Sequence, residues 1–362
     1  MQSTVTKKSY TLIDILKLFL ALLILFSHFF NEHAKGKLPK GLDLAVSIYI
    51  LAVPMYFAFS GYFLFKKIYN SDPSGHKAFL KNYCFKIMRL YGVWSAIYIF
   101  LRIITWVRFK PTSDAVLDYI HRSLVYSTYN TIWFLPATAV GAVIAVLLRK
   151  RFGDKGMFCF AALFCLIGAM GDCYSSITED IPVAGQLLSA YKTVFITTRN
   201  GVFNGFPYIA VGAMAAYMQG HDKTEYHPVF NRYFCGAVFF GGAFIAEAIV
   251  SKKIADANNS NTIIMLFPFT IFAVYWCVIS AQPGISKGAS EYMRKMSTAI
   301  FLAQRLFLSA LPELMPATVF TVMLDDKGWK IGLCWVTGCT LLFSAVLIAL
   351  SGKFTFLKKL YQ

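Results

Sequence analysis

The sequence predicts an all-α fold, a polytopic membrane helix bundle of about ten transmembrane helices, and composition is the first observation behind it. Of 362 residues, 57% are hydrophobic and 17% aromatic, while only 15% are charged. The mean hydropathy is +0.57. A soluble domain carries roughly 25% charged residues. The aromatic residues are spread along the chain, as expected for spans flanked by interfacial aromatics. We therefore expect a single transmembrane domain over residues 1–362, with no appended soluble domain.

Apolar runs are the second observation. A helix needs about 20 mainly apolar residues to cross roughly 30 Å of hydrocarbon. Ten runs approach that length, although the fifth is short: 11–30, 42–65, 90–108, 131–149, 157–171, 201–219, 234–250, 262–281, 297–315 and 331–351. An even number of spans puts both termini on the same side.

The distribution of basic residues is the third observation, and it predicts the orientation. With the N-terminus inside, the inner segments carry 20 of the 35 Lys and Arg residues and the outer segments carry 12. Cytoplasmic loops carry the excess of Lys and Arg in multi-pass proteins. We predict that both termini face the cytoplasm and that the protein is a multi-pass protein of the cytoplasmic membrane.

Charge and cysteine patterns argue against other classes of protein. The net charge of +17 comes from short basic clusters between apolar runs, which favours loops held against an anionic lipid leaflet over a nucleic-acid-binding domain. The eight cysteines contain no CxxC pair and fall mostly within apolar runs. They predict neither a disulfide framework nor a zinc site, and no metal is expected.

The first span carries three ionisable residues on one face. In "DILKLFLALLILFSHFF" (14–30), Lys17 and His28 are eleven residues apart, which is three helical turns plus about 20° and an axial distance of roughly 16 Å. Asp14 precedes Lys17 by about one turn. Ionisable groups in a span face a protein interior or a wet cavity. The alternative is that Asp14 and Lys17 reach the aqueous interface while His28 packs near the outer one.

These residues and four later segments resemble the acyltransferase-3 family of integral membrane acyltransferases. The "D-x-L-K-x10-H" pattern is similar to the family's first-helix signature, in which an Arg or Lys lies eleven residues before a catalytic His. Four matches follow in family order: "VPMYFAFSGYFLFKK" (53–67), "KNYCFKIMRLYGVW" (81–94), "IWFLPA" (132–137) and "TRNGVFNGFPYIAVGA" (198–213). The last one resembles the membrane domain of the vancomycin-resistance serine racemases. Because the chain stops at Gln362, we expect no racemase activity.

The resemblance implies acyl transfer from cytoplasmic acyl-CoA, with acetyl-CoA as the expected donor, to a hydroxyl of a cell-envelope glycan or a small acceptor. His28 is the implied general base, although a covalent acyl-His relay remains open. Cations at the cytoplasmic mouth are suited to the CoA phosphates, and we predict Lys17, Lys86 and Arg89 there. Asp14 completes the predicted catalytic group on the first span.

A tetrahedral intermediate also needs hydrogen-bond donors for its oxyanion. Tyr62, Trp133, Arg199 and Asn200 are the candidates, although Trp133 is equally expected as an interfacial aromatic. Two intramembrane charges remain, Glu247 and Arg305. They either pair with each other or line the acceptor entrance.

One departure from the family and two other function classes stay open. Gln304 stands where many relatives carry a His, which bears on a second imidazole and on the acceptor class.

A small-molecule transporter of the same fold, for example for serine, is the main alternative function, although no internal repeat supports it. A non-catalytic partner in envelope assembly is the second. Neither alternative needs the Lys17–His28 alignment.

Overall fold

The computed structural model describes residues 10–33, 48–222, 224, 227–254, 262–310 and 328–362. Within these ranges the regular structure is helical apart from one isolated bridge between His227 and Ser280, which confirms the all-α class. The α-helices are α1 (Thr11–His33), α2 (Ala52–Tyr69), α3 (His76–Phe109), α4 (Ser113–Val125), α5 (Phe134–Gly171), α6 (Ser175–Glu179), α7 (Pro182–Phe195), α8 (Phe206–His221), α9 (Arg232–Ile254), α10 (Leu266–Ile279), α11 (Lys287–Arg305) and α12 (Trp329–Leu350). Short π-helical turns precede α8 (Gly201–Gly205) and follow α11 (Leu306–Ala310).

The long helix α5 reverses direction at Gly153. This glycine has φ 71° and ψ −176°, a conformation that side chains with a Cβ rarely adopt. Gly141 and Gly168 would lie about 40 Å apart on a straight helix. Both nevertheless pack against the same short segment, Gly141 at Gly205 and Gly168 at Phe203. The two halves therefore run antiparallel, as the separate predicted spans 131–149 and 157–171 require.

Helices α1 and α11 run parallel. Helix α2 runs antiparallel to both, because Tyr56 contacts Lys17 whereas Tyr62, further along α2, contacts Tyr10 before the start of α1. The hydroxyl of Ser290 donates to the Asp14 carboxylate at 2.6 Å near one end. About fourteen residues further along each helix, His28 meets Arg305. This alignment places the ionisable residues of α1 opposite those of α11 at both ends.

Helices α2 and α8 cross with their backbones in contact. A Cβ built on Gly61 would lie 2.3 Å from the carbonyl oxygen of Ile209, and one on Gly212 would lie 2.0 Å from that of Ala58. Small residues permit such close approach between membrane helices. Gly61, in the "SGY" segment of the second predicted span, therefore allows α2 to pack closely against α8.

The count of ten spans stays a prediction. Among the described residues, six helices are long and apolar enough to cross a membrane, with α10 as a shorter apolar helix. Parts of two predicted spans, 42–47 and 311–315, lie outside the described residues. Tyr10 contacts Lys66, and Arg89, on the next helix, contacts Gln362, so the described ends of the chain lie at the same end of the bundle. That this end faces the cytoplasm also stays a prediction.

Candidate functional site

His28 lies in a polar cluster built from α1, α11 and the segment before α5. Arg305 is 5% exposed, and its Nη2 lies 3.0 Å from His28 Nδ1. Its Nε donates to the Thr131 hydroxyl at 2.7 Å, and its Nη1 pairs with the carboxylate of Glu32. Glu32 follows His28 by four residues, so both project from the same face of α1. The cluster is therefore a buried arginine that joins the imidazole to a carboxylate at the surface of the bundle.

A second arginine extends this cluster. Arg199 lies with its guanidinium carbon 5.7 Å from the centre of the Trp133 ring, and its charge acts on His28. Tyr126 stacks on Trp133 with ring centroids 5.8 Å apart. The side chains of Arg199 and Tyr126 interact with each other, although the buried Nε of Arg199 and the buried hydroxyl of Tyr126 have no hydrogen-bond partner of good geometry among the described residues. These are polar groups able to bind a ligand that reaches them.

The opposite end of α1 carries a group of cations. The ammonium of Lys17 lies 5.5 Å from the centre of the Phe63 ring, and it is within electrostatic range of Asp14 and Arg294. The Arg294 guanidinium is 3.9 Å from Asp14. Asp14 therefore offsets part of the positive charge at this end.

Helix α3 adds the other two predicted cations. Lys86 is within electrostatic range of Arg89, Lys67 and Arg294. Arg89 also donates to the backbone oxygen of Gln362 at 3.3 Å. The side chains of Lys86, Arg89 and Arg294 are exposed, so the group presents several solvated cations. A cluster of this kind suits an anion with several phosphates.

Tyr62 lies away from His28. Its hydroxyl donates to Gln219, and its ring packs edge-on against Tyr10, 5.4 Å away. Tyr10 precedes His28 by eighteen residues along the same chain segment, which is about 27 Å of helix. This position leaves an oxyanion role for Tyr62 beside His28 without support.

Asn200 caps the helical turn before α8. Its side-chain oxygen accepts from the backbone N–H groups of Val202 and Phe203, at 2.9 and 3.3 Å. Its amide donates to the Tyr191 hydroxyl at 2.6 Å and to the Thr197 carbonyl at 3.0 Å. Both amide protons are used within the protein, so Asn200 has no free donor for an oxyanion.

Glu247 and Arg305 do not pair. Glu247 accepts from the backbone N–H groups of Ile264 and Met265 at 2.8 and 2.6 Å, and from the Tyr174 hydroxyl. These N–H groups lead into α10, whose first turn needs acceptors. Of the two alternatives for these charges, the Glu247–Arg305 pair is wrong, because Glu247 caps α10 and Arg305 pairs with Glu32. A place at the acceptor entrance stays a prediction.

Four residues of these two clusters were not among the predicted site residues: Glu32, Tyr126, Thr131 and Arg294. The first predicted span ends at residue 30 and so leaves Glu32 outside it, although the i+4 spacing from His28 places both residues on one face. Arg294 lies before the ninth predicted span and carried no motif. Gln304 is fully buried, and its amide donates to the Phe301 carbonyl at 3.1 Å. In this chain the neighbouring Arg305, and not residue 304, reaches His28.

Fold and site together define a polytopic membrane protein with an ionisable cluster inside its bundle. A family model described as an acyltransferase domain, Acyl_transf_3, matches residues 10–351. The chain belongs to the acyltransferase-3 family. This result confirms the resemblance found in the sequence and supports a membrane acyltransferase as its general class.

Three curated relatives carry racemase names. Two amino-acid racemases of Enterococcus faecalis are 24% identical over 273 residues and 29% identical over 231 residues, which is 75% and 64% of this chain. A serine/alanine racemase of Enterococcus gallinarum is 26% identical over 179 residues, or 49% of this chain. The matched regions cover 37%, 30% and 25% of those proteins. No solved structure matches the chain at a significant level.

Proposed function

We propose that the protein is an O-acyltransferase of the cytoplasmic membrane that moves an acyl group, in the first instance acetyl, from cytoplasmic acyl-CoA to a hydroxyl of a cell-envelope carbohydrate or similar acceptor. The observation that carries this proposal is the arrangement of α1. One end of this helix meets the cation group of Lys17, Arg294 and Lys86. About 16 Å further along the axis, His28 meets Arg305.

The cation group serves as the entry for the donor. CoA carries phosphates at one end and a long uncharged arm that ends in the thioester. Lys17 and Lys86 bind phosphate as point charges, whereas Arg89 and Arg294 can form paired hydrogen bonds with it. With the phosphates held there, an extended arm has the length to bring the thioester towards His28. Asp14 positions Arg294 and limits the net positive charge of the group.

His28 and Arg199 supply the chemistry at the other end. His28 takes the proton of the acceptor hydroxyl as its oxygen attacks the thioester carbonyl carbon. The C–O bond forms, the C–S bond breaks, and the proton then passes from His28 to the departing CoA thiolate. Arg199, whose buried guanidinium interacts with Tyr126 and acts on His28, is suited to stabilise the oxyanion between these steps. Trp133 supports the guanidinium from one side.

The first test follows label from radiolabelled acetyl-CoA in liposomes that contain the purified protein and an envelope extract. Wild type is compared with His28→Ala and with His221→Ala, which changes an exposed histidine at the end of α8. We expect transfer to the extract to be lost in His28→Ala and retained in His221→Ala. Equal transfer by folded His28→Ala and wild type would remove His28 from the chemistry.

Transport of a small amino acid is the second candidate function. It is favoured by one finding, the serine/alanine name of a relative that matches this membrane region. Uptake of labelled serine into the same liposomes separates the two functions. Serine uptake without any acyl transfer by the wild type would favour transport.

A further inference from the structure

The contact between Arg305 and His28 fixes which imidazole nitrogen carries the proton. A guanidinium has five N–H donors and no acceptor. Since Arg305 Nη2 lies 3.0 Å from His28 Nδ1, Nδ1 is the accepting nitrogen. In the neutral ring the proton is then on Nε2. The lone pair that a general base needs is the one that Arg305 occupies.

Arg305 is held in this position from three directions. Besides His28, it donates to Thr131 at 2.7 Å and pairs with Glu32. It is 5% exposed, so water is a poor substitute for any of these partners. The engaged state of His28 is therefore the resting state of the site.

We propose that Arg305 regulates the site by keeping the basic lone pair of His28 engaged until an acceptor displaces it. This inference rests on the proposed acyl transfer. When the acceptor hydroxyl takes the place of Arg305 at Nδ1, its proton passes to Nδ1 while Nε2 keeps its own. The ring is an imidazolium until it passes this proton to the departing thiolate, and Glu32 stays paired with Arg305. Water, which does not displace Arg305, is not activated, and acyl-CoA is protected from hydrolysis.

The test measures the reactivity of the His28 lone pair directly. Diethylpyrocarbonate acylates unprotonated imidazole nitrogens, and mass spectrometry gives the rate at each histidine. Exposed His121 and His221 serve as internal references. Arg305→Met removes the donor with a side chain of similar length. The matched control, Thr131→Val, removes an Arg305 contact without touching His28.

We expect His28 to react several-fold faster in Arg305→Met than in wild type, relative to the references, and to be unchanged in Thr131→Val. An unchanged His28 rate in folded Arg305→Met would overturn the proposal. If that variant does not fold, nitrogen NMR of ¹⁵N-histidine-labelled wild type decides, because His28 has to show a protonated Nε2 and an unprotonated Nδ1. The opposite tautomer would also overturn it.

Neither measurement needs acyl-CoA, so each stands even if no acyl transfer is found. Where transfer is found, acyl-CoA hydrolysis without acceptor adds a functional readout. We expect Arg305→Met to raise hydrolysis relative to transfer several-fold. An unchanged ratio would show that Arg305 does not control the base, whereas absent transfer in wild type would count only against the proposed function.

Discussion

Replacing Gly212 with alanine is expected to separate α2 from α8. The added Cβ would lie 2.0 Å from the carbonyl oxygen of Ala58 and 2.4 Å from the backbone nitrogen of Tyr62, whereas ordinary contact begins near 3.4 Å. The helices must therefore move apart by roughly 1.4 Å, because neither clashing atom belongs to a flexible side chain. Overpacking a core typically costs about 1–3 kcal/mol. We expect at least the upper end of that range here.

Gly338→Ala in α12 is the matched control. None of the described residues would contact a Cβ at this position within 4 Å, and alanine in a helix interior is favoured over glycine by about 0.5–1 kcal/mol. Thermal unfolding of the purified variants in one detergent measures both effects. Gly212→Ala should unfold at a lower temperature than wild type, and Gly338→Ala at the same or a higher one. Equal unfolding temperatures for the two variants would refute the close crossing of α2 and α8.

Two further predictions concern the ends of the bundle. Lys17→Ala should raise the KM for acyl-CoA, because a phosphate-binding cation is lost, and Lys17→Arg should retain wild-type kinetics. Steady-state assays over a range of acyl-CoA concentrations measure both, and a wild-type KM in Lys17→Ala would contradict the prediction. Glu247→Ala should lower the unfolding temperature, because the N–H groups of Ile264 and Met265 lose acceptors worth about 1–3 kcal/mol each. Glu247→Gln keeps one carbonyl oxygen, so its unfolding temperature should lie between those of Glu247→Ala and wild type. A Glu247→Ala variant as stable as wild type would show that α10 needs no cap.

The hydropathy and charge of the sequence were sufficient for the fold class. Apolar runs must satisfy their backbone groups internally when they cross a bilayer, and helices do this within one segment. The same runs left helix boundaries open. The reversal within α5 depends on the backbone conformation of Gly153. The packing of Gly141 and Gly168 against the same segment, at Gly205 and Phe203, is also seen only in the tertiary structure.

The spacing of Lys17 and His28 was also open to prediction, since a regular helix fixes the face and axial distance of residues on one segment. The residues that His28 and Asp14 contact on other helices could not be predicted in this way. Arg305 lies 277 residues from His28 in the chain, and Ser290 lies 276 residues from Asp14. No local rule relates residues at such separations.

The sequence by itself determined the membrane-spanning class, the family resemblance and the polar face of the first helix. Only the tertiary structure decided that Glu247 caps a helix and that Arg305 joins Glu32 to His28. The physical reason is that an intramembrane charge in a sequence shows only that a partner is needed, and not which residue it is. Which partner it finds depends on how the helices pack, and here the packing of α9 on α10 and the parallel contact of α1 with α11 make that choice.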